Sequence, residues 1–181
     1  MTSLNRLLAP VIWFAAIASI ATSTACDKHA ENPQLQLTDI GFALTLPPAM
    51  QHALDSLAPG FRAISSTSYR SDIAQAAAAG GGIPALFATV GDFDHNGTVD
   101  VVEEGTLPAD SALHVIAILN GAKPTAVEVA RIESYDADAL GLYLSLPAAG
   151  QSGAFELVSY PDSSTLFEYA DGAFQGHKVG S

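Results

Sequence analysis

Residues 92–100 place oxygen-bearing groups at every second position, a spacing that can wrap a metal ion. The alternating residues are Asp92, Asp94, Asn96, Thr98 and Asp100. Calcium takes about six to eight oxygen ligands, supplied by carboxylates, amides and backbone carbonyls such as that of Thr98. Gly97 permits the sharp bend, and the alternation leaves Phe93 and His95 pointing away from the ion. The sequence therefore predicts a calcium-type loop, with a loop that folds without metal as the alternative.

Glu103 is the twelfth residue counted from Asp92, so the stretch also satisfies the EF-hand loop pattern D-x-[DN]-x-[DN]-G-x5-E. A true EF-hand has a helix on each side of the loop. Here the glycines and proline of residues 80–84 leave too little room for a preceding helix, and residues 85–90 and 99–102 are predicted strands. We therefore do not expect an EF-hand fold, but Glu103 remains a candidate ligand.

The run Gly-Asp-Phe-Asp-x-Asn-Gly, followed by Asp-Val-Val, resembles the FG-GAP/VCBS-type repeat of integrin-like β-propellers. In that family a calcium loop joins two strands of one blade. The resemblance implies a ligand set and gives no assured role to Glu103. The implied ligands are Asp92, Asp94, Asn96, Thr98 through its carbonyl, and Asp100. The likeness covers about fifteen residues and occurs once, so the propeller fold and its adhesive functions do not carry over.

If the ion binds, a structural role is expected rather than a signalling one. Four carboxylates lie within twelve residues of this stretch, and they repel one another. A bound cation removes that repulsion.

The first 25 residues have the pattern of a removable bacterial signal peptide. Arg6 supplies a positive start, and residues 7–20 form an apolar stretch shorter than the roughly 20 residues that a membrane span needs. Small residues then lead to Cys26, the single cysteine. The run Ser23-Thr24-Ala25-Cys26 resembles the lipobox of bacterial lipoproteins, although that family usually has leucine where this chain has Ser23.

The lipobox resemblance implies that the Cys26 sulfur carries a diacylglycerol and that the mature chain begins there. The protein would then be exported and anchored by lipid in the bacterial cell envelope, on the periplasmic face of a membrane or at the cell surface. Residues 26–36 are polar and predict a tether. Ordinary signal-peptide cleavage, which gives a soluble secreted protein, and an uncleaved anchor are the alternatives.

Charge limits the partners. The chain has 19 acidic residues against 7 lysines and arginines, a formal net charge of −12. Such a surface repels phosphate backbones, so nucleic-acid binding is not expected. It also opposes docking on anionic lipid by charge alone. The expected partners are a membrane, through the lipid on Cys26, and an unidentified protein or glycan.

Catalytic residues are not predicted. None of the five histidines pairs with another at a metal-ligand spacing, and G-x-S-x-G, H-E-x-x-H, P-loop and C-x-x-C motifs are absent. His114 lies in an apolar strand and is expected to be packed there. Glu103 and Glu104 are adjacent on a strand, so they point to opposite faces and form a poor acid/base pair. The sequence leaves enzymatic activity uncertain and favours its absence.

Residues 37–181 are predicted to form a single α+β domain, in which N-terminal helices are followed by a mainly antiparallel β-sheet. Met50, Ala53, Leu54 and Leu57 have helical spacing, and residues 71–79 predict a second helix before three glycines. The sheet carries the calcium-type strand-loop-strand. Strands are predicted at 85–90, 99–102, 113–119, 126–132, 140–146, 154–160 and 165–169, and around Phe174.

The function expected from these features is that of a calcium-stabilised, non-enzymatic binding or accessory module of the envelope. An envelope hydrolase with an unrecognised acidic site and a structural envelope component are the alternatives. A binding module predicts an exposed apolar or aromatic patch, for which five aromatic side chains are available. These are Tyr143, Phe155, Tyr160, Phe167 and Tyr169, although a sheet core is the expected home of most of them.

Overall fold

The structure is a computed structural model that describes residues 31–39, 41–79, 85–136, 140–147, 153–161 and 163–179. The predicted signal peptide and Cys26 lie outside the described residues, as does the glycine run that was expected to end the second helix. The described chain contains more strand than helix. The helices are α1 (Pro48–Leu57), α2 (Ser71–Ala79) and a short 3-10 helix (Ser66–Ser68).

The strands form three antiparallel groups. The first group is the hairpin β1 (Gln34–Thr38) and β2 (Gly41–Thr45). The second, five-stranded sheet comprises β3 (Arg62–Ala63), β4 (Ala88–Gly91), β5 (Asp100–Thr106), β6 (Leu113–Leu119) and β7 (Thr125–Ile132). The third, four-stranded sheet comprises β8 (Leu142–Ser145), β9 (Ala154–Ser159), β10 (Ser163–Ala170) and β11 (Ala173–Val179).

The five-stranded sheet is the centre of the molecule. Every residue of β6 is buried, which fits a sequence that is apolar at every position except His114 and its place between β5 and β7. β4 and β3 share one edge of β5, with β4 pairing its first half and β3 its last two residues. Residues 92–99 therefore connect two antiparallel neighbours, as the predicted strand-loop-strand requires.

The four-stranded sheet packs against one face of the central sheet. The interface is apolar and consists of Phe93, Val102, Val115, Ala117, Leu144, Phe155, Leu157 and Phe167. Phe155 and Phe167 belong to the predicted aromatic patch but lie in this core, whereas Tyr143, Tyr160 and Tyr169 are half-buried. Phe155 and Phe167 therefore belong to the sheet core, where most of these aromatic side chains were expected.

Helix α1 covers the opposite face of the central sheet. Its buried Met50 and Leu54 contact Val101 and Ile118, which alternate with the side chains of the first interface along their strands. Proline occupies the first helical turn, and Gly60 has a left-handed φ of 80° just after the helix ends. No helix in the described ranges has the length and apolar character that crossing a membrane requires.

The order of elements differs from the prediction. The described domain does not open with helices, because β1 and β2 precede α1 and β3 lies between α1 and α2. The predicted tether also ends early, since β1 begins at Gln34. Alternation of glutamine with Leu35 and Leu37 gives that segment a period-two pattern, which is enough for a short hairpin strand. The mainly antiparallel character of the sheets is confirmed.

Candidate metal centre

The acidic loop is anchored to the hydrophobic core by the buried side chain of Phe93. Phe93 is 1% exposed, and its ring packs edge-on against Phe155 at 5.6 Å between centroids. The chain then turns through left-handed φ values of 60° at His95 and 85° at Gly97, and the second of these favours glycine. The His95 ring lies against Gly153, outside the loop. Phe93 and His95 thus point away from the centre of the loop, as predicted.

Three aspartates converge inside the loop. One carboxylate oxygen from each of Asp92, Asp94 and Asp100 lies within 4.8 Å of the other two. Such a group can hold a metal ion, because a cation between the three oxygens replaces their mutual repulsion with attraction.

Asp92 offers the clearest candidate ligand atom of the loop. Its Oδ2 accepts a hydrogen bond from the Gly97 N–H at 3.0 Å. Its Oδ1 is buried and has no hydrogen-bond partner among the described residues. A buried oxygen without a partner is costly, and a cation in the cluster would satisfy it.

Asp100 holds the loop together through the backbone. Its Oδ2 accepts from the N–H of Phe93 at 2.8 Å and of Asp94 at 3.4 Å, and its Oδ1 accepts from Asn120 at 2.7 Å. The residue is completely buried. Burial raises the pKa of the Asp100 carboxyl, although the hydrogen bonds from the Asn120 and Phe93 backbone oppose the rise. Asp100 is thus both a candidate ligand and a structural link between β5 and two turns.

Asn96 and Thr98 both form hydrogen bonds with the turn at Asn120. The Asn96 amide donates to Asp94 Oδ2 at 2.9 Å and to the Asn120 carbonyl at 2.7 Å. Its Oδ1 accepts from the Thr98 N–H at 2.8 Å and lies 2.6 Å from the Thr98 hydroxyl. If Asn96 Oδ1 coordinated a metal ion, that coordination would replace its hydrogen bonds with Thr98. The role of the Thr98 carbonyl stays a prediction.

Glu103 does not join the three aspartates in this cluster. It lies on β5 two residues beyond Val101, on the face that α1 covers, and its side chain lines a cleft there. Burial raises the pKa of Glu103 to about 7. The EF-hand pattern therefore predicted Glu103 as a ligand wrongly for this cluster. In an EF-hand a helix follows the loop and brings this glutamate back to the ion, whereas here a strand follows and directs Glu103 away from the three aspartates.

Asn120 is a residue of the site that the sequence did not reveal. Its backbone binds Asp100, Asn96 and Thr98, while its amide nitrogen donates to the Glu31 carbonyl at 3.1 Å. The Asn120-Gly121 pair indicated a turn, but only the pairing of β5 with β6 brings that turn beside the loop.

A second titratable cluster surrounds His114 on β6. Its Nδ1 lies 2.6 Å from Glu128 and its Nε2 3.0 Å from Asp110, which also pairs with Arg131 at 3.2 Å. Burial alone would lower the pKa of His114, but the two carboxylates raise it above its ordinary value. The predicted packing of His114 is confirmed, with a hydrogen-bonded rather than an apolar environment.

Comparison with protein families, with curated proteins and with solved structures finds no match for this chain. The likenesses to the lipobox and to the FG-GAP/VCBS-type loop therefore rest on their short motifs alone.

Proposed function

We propose that this chain is a calcium-stabilised, non-enzymatic binding module of the bacterial cell envelope. The observation that carries the calcium proposal is the convergence of Asp92, Asp94 and Asp100 around the unpartnered Asp92 Oδ1. The protein is exported and held at a membrane by lipid on Cys26, as its lipobox-like segment implies.

The chemistry of the donors favours calcium over transition metals. Within the described part of the chain, the cluster offers only carboxylate oxygen and includes neither histidine nor cysteine. Hard oxygen donors suit calcium and magnesium, whereas zinc and copper favour nitrogen and sulfur. A loop with several turns adapts to the irregular shell of calcium more readily than to the strict octahedron of magnesium. The three carboxylates would bind directly, with Asn96 and the Thr98 carbonyl completing the set.

The role of the ion is structural. When bound, it would neutralise three carboxylates and hold the loop between β4 and β5 in contact with Asn120. Asp100 is already occupied by three backbone N–H groups, which suits a positioning role better than proton transfer. Glu103 and Glu104 lie on opposite faces of β5, an arrangement that disfavours the hydrolase alternative.

Titration calorimetry with calcium tests this site. Asp94→Asn is the informative change, because among the described residues the Asp94 side chain bonds to Asn96 within the loop, whereas Asp100 also supports the fold. We expect calcium to bind with 1:1 stoichiometry and Asp94→Asn to weaken binding at least about tenfold, since one carboxylate ligand is lost.

Asp55→Asn is the matched control, because Asp55 is exposed on α1 and outside the loop. It should leave the affinity for calcium unchanged. Equal heats for the wild type and Asp94→Asn would refute the proposed ligand set, and magnesium that binds as tightly as calcium would refute the choice of ion.

The lipid anchor is tested separately by Cys26→Ser. In a bacterial host, the wild type should incorporate labelled fatty acid and enter the detergent phase on partition. Cys26→Ser should lose the label, because the serine oxygen cannot take the place of the thioether sulfur. Partition of the wild type into the aqueous phase without label would instead support ordinary cleavage after the signal peptide.

A further inference from the structure

A cleft of about 990 Å³ lies between the β1–β2 hairpin, α1 and the α1-facing side of the central sheet. A volume of this size is typical of small-molecule sites, which are lined mainly by apolar groups with a few polar ones. The apolar wall is formed by Phe42, Leu44, Leu46, Leu54, Phe61 and Phe87.

Glu103 is the carboxyl group that the central sheet contributes to this cleft. The residue is 3% exposed, and its Oε1 has no hydrogen-bond partner among the described residues. Its neighbour Glu104 also has an Oε1 without a partner among the described residues, but Glu104 Oε2 accepts from the Tyr69 hydroxyl at 2.7 Å. Gly105, the next residue on the Glu103 face, has no side chain, and the Phe61 ring packs across it. The cleft thus combines the apolar wall and the Glu103 carboxyl with further polar lining from Thr38, Asp39, Gln51, Ser65, Ser66 and Thr67.

A buried carboxyl oxygen that has no partner among the described residues can be stabilised by a hydrogen-bond donor on a bound ligand. Burial raises the pKa of Glu103 to about 7, since the anion lacks solvent and a counter-charge. A cationic N–H donor supplies both the hydrogen bond and the counter-charge, and charge-assisted bonds are roughly twice as strong as neutral ones. The net charge of −12 and Asp39 at the cleft disfavour carboxylates and phosphates in the same place.

We propose that this cleft binds small amphipathic amines, with the hydrocarbon body against the apolar wall and the protonated amino group donating to the carboxylate of Glu103. The inference rests on the proposed binding role and gives it a ligand class. It does not depend on calcium, because the residues that line the cleft do not include the three aspartates of the loop.

Octylamine is the probe, with 1-octanol and octanoate as ligands of the same chain length. Calorimetry on the purified protein should give a dissociation constant for octylamine below about 1 mM, weaker binding of octanol and none of octanoate. Glu103→Gln keeps the shape of the side chain but removes its charge, and it should weaken octylamine binding at least about tenfold. The exposed Glu168→Gln on β10 is the matched control and should leave binding unchanged.

Ala63→Trp provides a second variant, because Ala63 is exposed on β3 and lines the cleft. The larger ring should block octylamine while leaving Glu103 intact. Equal affinity for octylamine and octanoate, or unchanged octylamine binding in both Glu103→Gln and Ala63→Trp, would overturn the proposal. Calcium titration of the same samples separates the two ideas, since a failed amine site leaves calcium binding intact and a failed calcium site leaves amine binding intact.

Discussion

Phe155→Ala is expected to lower the free energy of unfolding by about 3–5 kcal/mol. Phe155 is completely buried where the two larger sheets meet. Its ring lies 5.6 Å from that of Phe93, 5.2 Å from Phe167 and 5.6 Å from Phe174, measured between centroids. Removal of the ring leaves a cavity between sheets that are each fixed by their own hydrogen bonds, so the space cannot close by a small shift.

Urea unfolding measures this loss as a change in midpoint at constant slope. Phe155→Leu should cost less, because it keeps part of the apolar volume. Leu146→Ala is the control, since Leu146 is 57% exposed, and it should change stability by less than about 0.5 kcal/mol. A loss below about 1 kcal/mol for Phe155→Ala would contradict the packing of the two sheets against each other.

Stability is expected to fall as the pH rises from about 5 to about 9, chiefly because of Glu104. This residue is completely buried on β5, and burial raises the pKa of its carboxyl from 4.5 to about 8, although the hydrogen bond from Tyr69 opposes the rise. The folded state therefore holds this proton more tightly than the unfolded state. Its contribution to stability is complete below about pH 4.5 and is lost as the pH passes through about 8.

The expected loss is on the order of 3–5 kcal/mol, because each unit of difference in pKa corresponds to about 1.4 kcal/mol. Glu103, whose pKa burial raises to about 7, acts in the same direction over the lower part of this range. Glu104→Gln keeps an acceptor for the Tyr69 hydroxyl and does not ionise. Its free energy of unfolding should therefore depend much less on pH than that of the wild type.

Urea unfolding of both proteins at several pH values makes the comparison. Glu168→Gln serves as the control, because that glutamate is exposed and should leave the profile unchanged. Stability of the wild type that stays constant or increases between pH 5 and about 9 would contradict the burial of the Glu104 carboxyl.

Local patterns in the sequence identified most of the strands and the acidic loop. Six of the seven residues 113–119 are apolar, and they form a strand buried on both faces. The spacing of Asp92, Asp94 and Asp100 predicted their convergence, because alternation and one glycine fix the path of a short turn. These features depend only on neighbours in the chain.

Features that depend on distant residues could not be predicted. Asn120 reaches the loop only because β6 runs beside β5, and no local pattern encodes that pairing. Glu103 was counted as a ligand by its position in a motif, but the strand register directs it to the opposite side of the sheet from Val102. The β1–β2 hairpin has a weak alternating pattern, and the surrounding polar residues favoured a tether instead.

Thermal unfolding with calcium and with a chelator tests the calcium site most directly. Calcium at about 100 times its dissociation constant should stabilise the protein by about 2.7 kcal/mol, because it binds only the folded loop. For a chain of this size, that corresponds to an increase in Tm of roughly 5–10 °C. The increase should be absent in Asp94→Asn and present in Asp55→Asn. An unchanged Tm in the wild type would show that the three aspartates fold without an ion and would contradict the proposed calcium site.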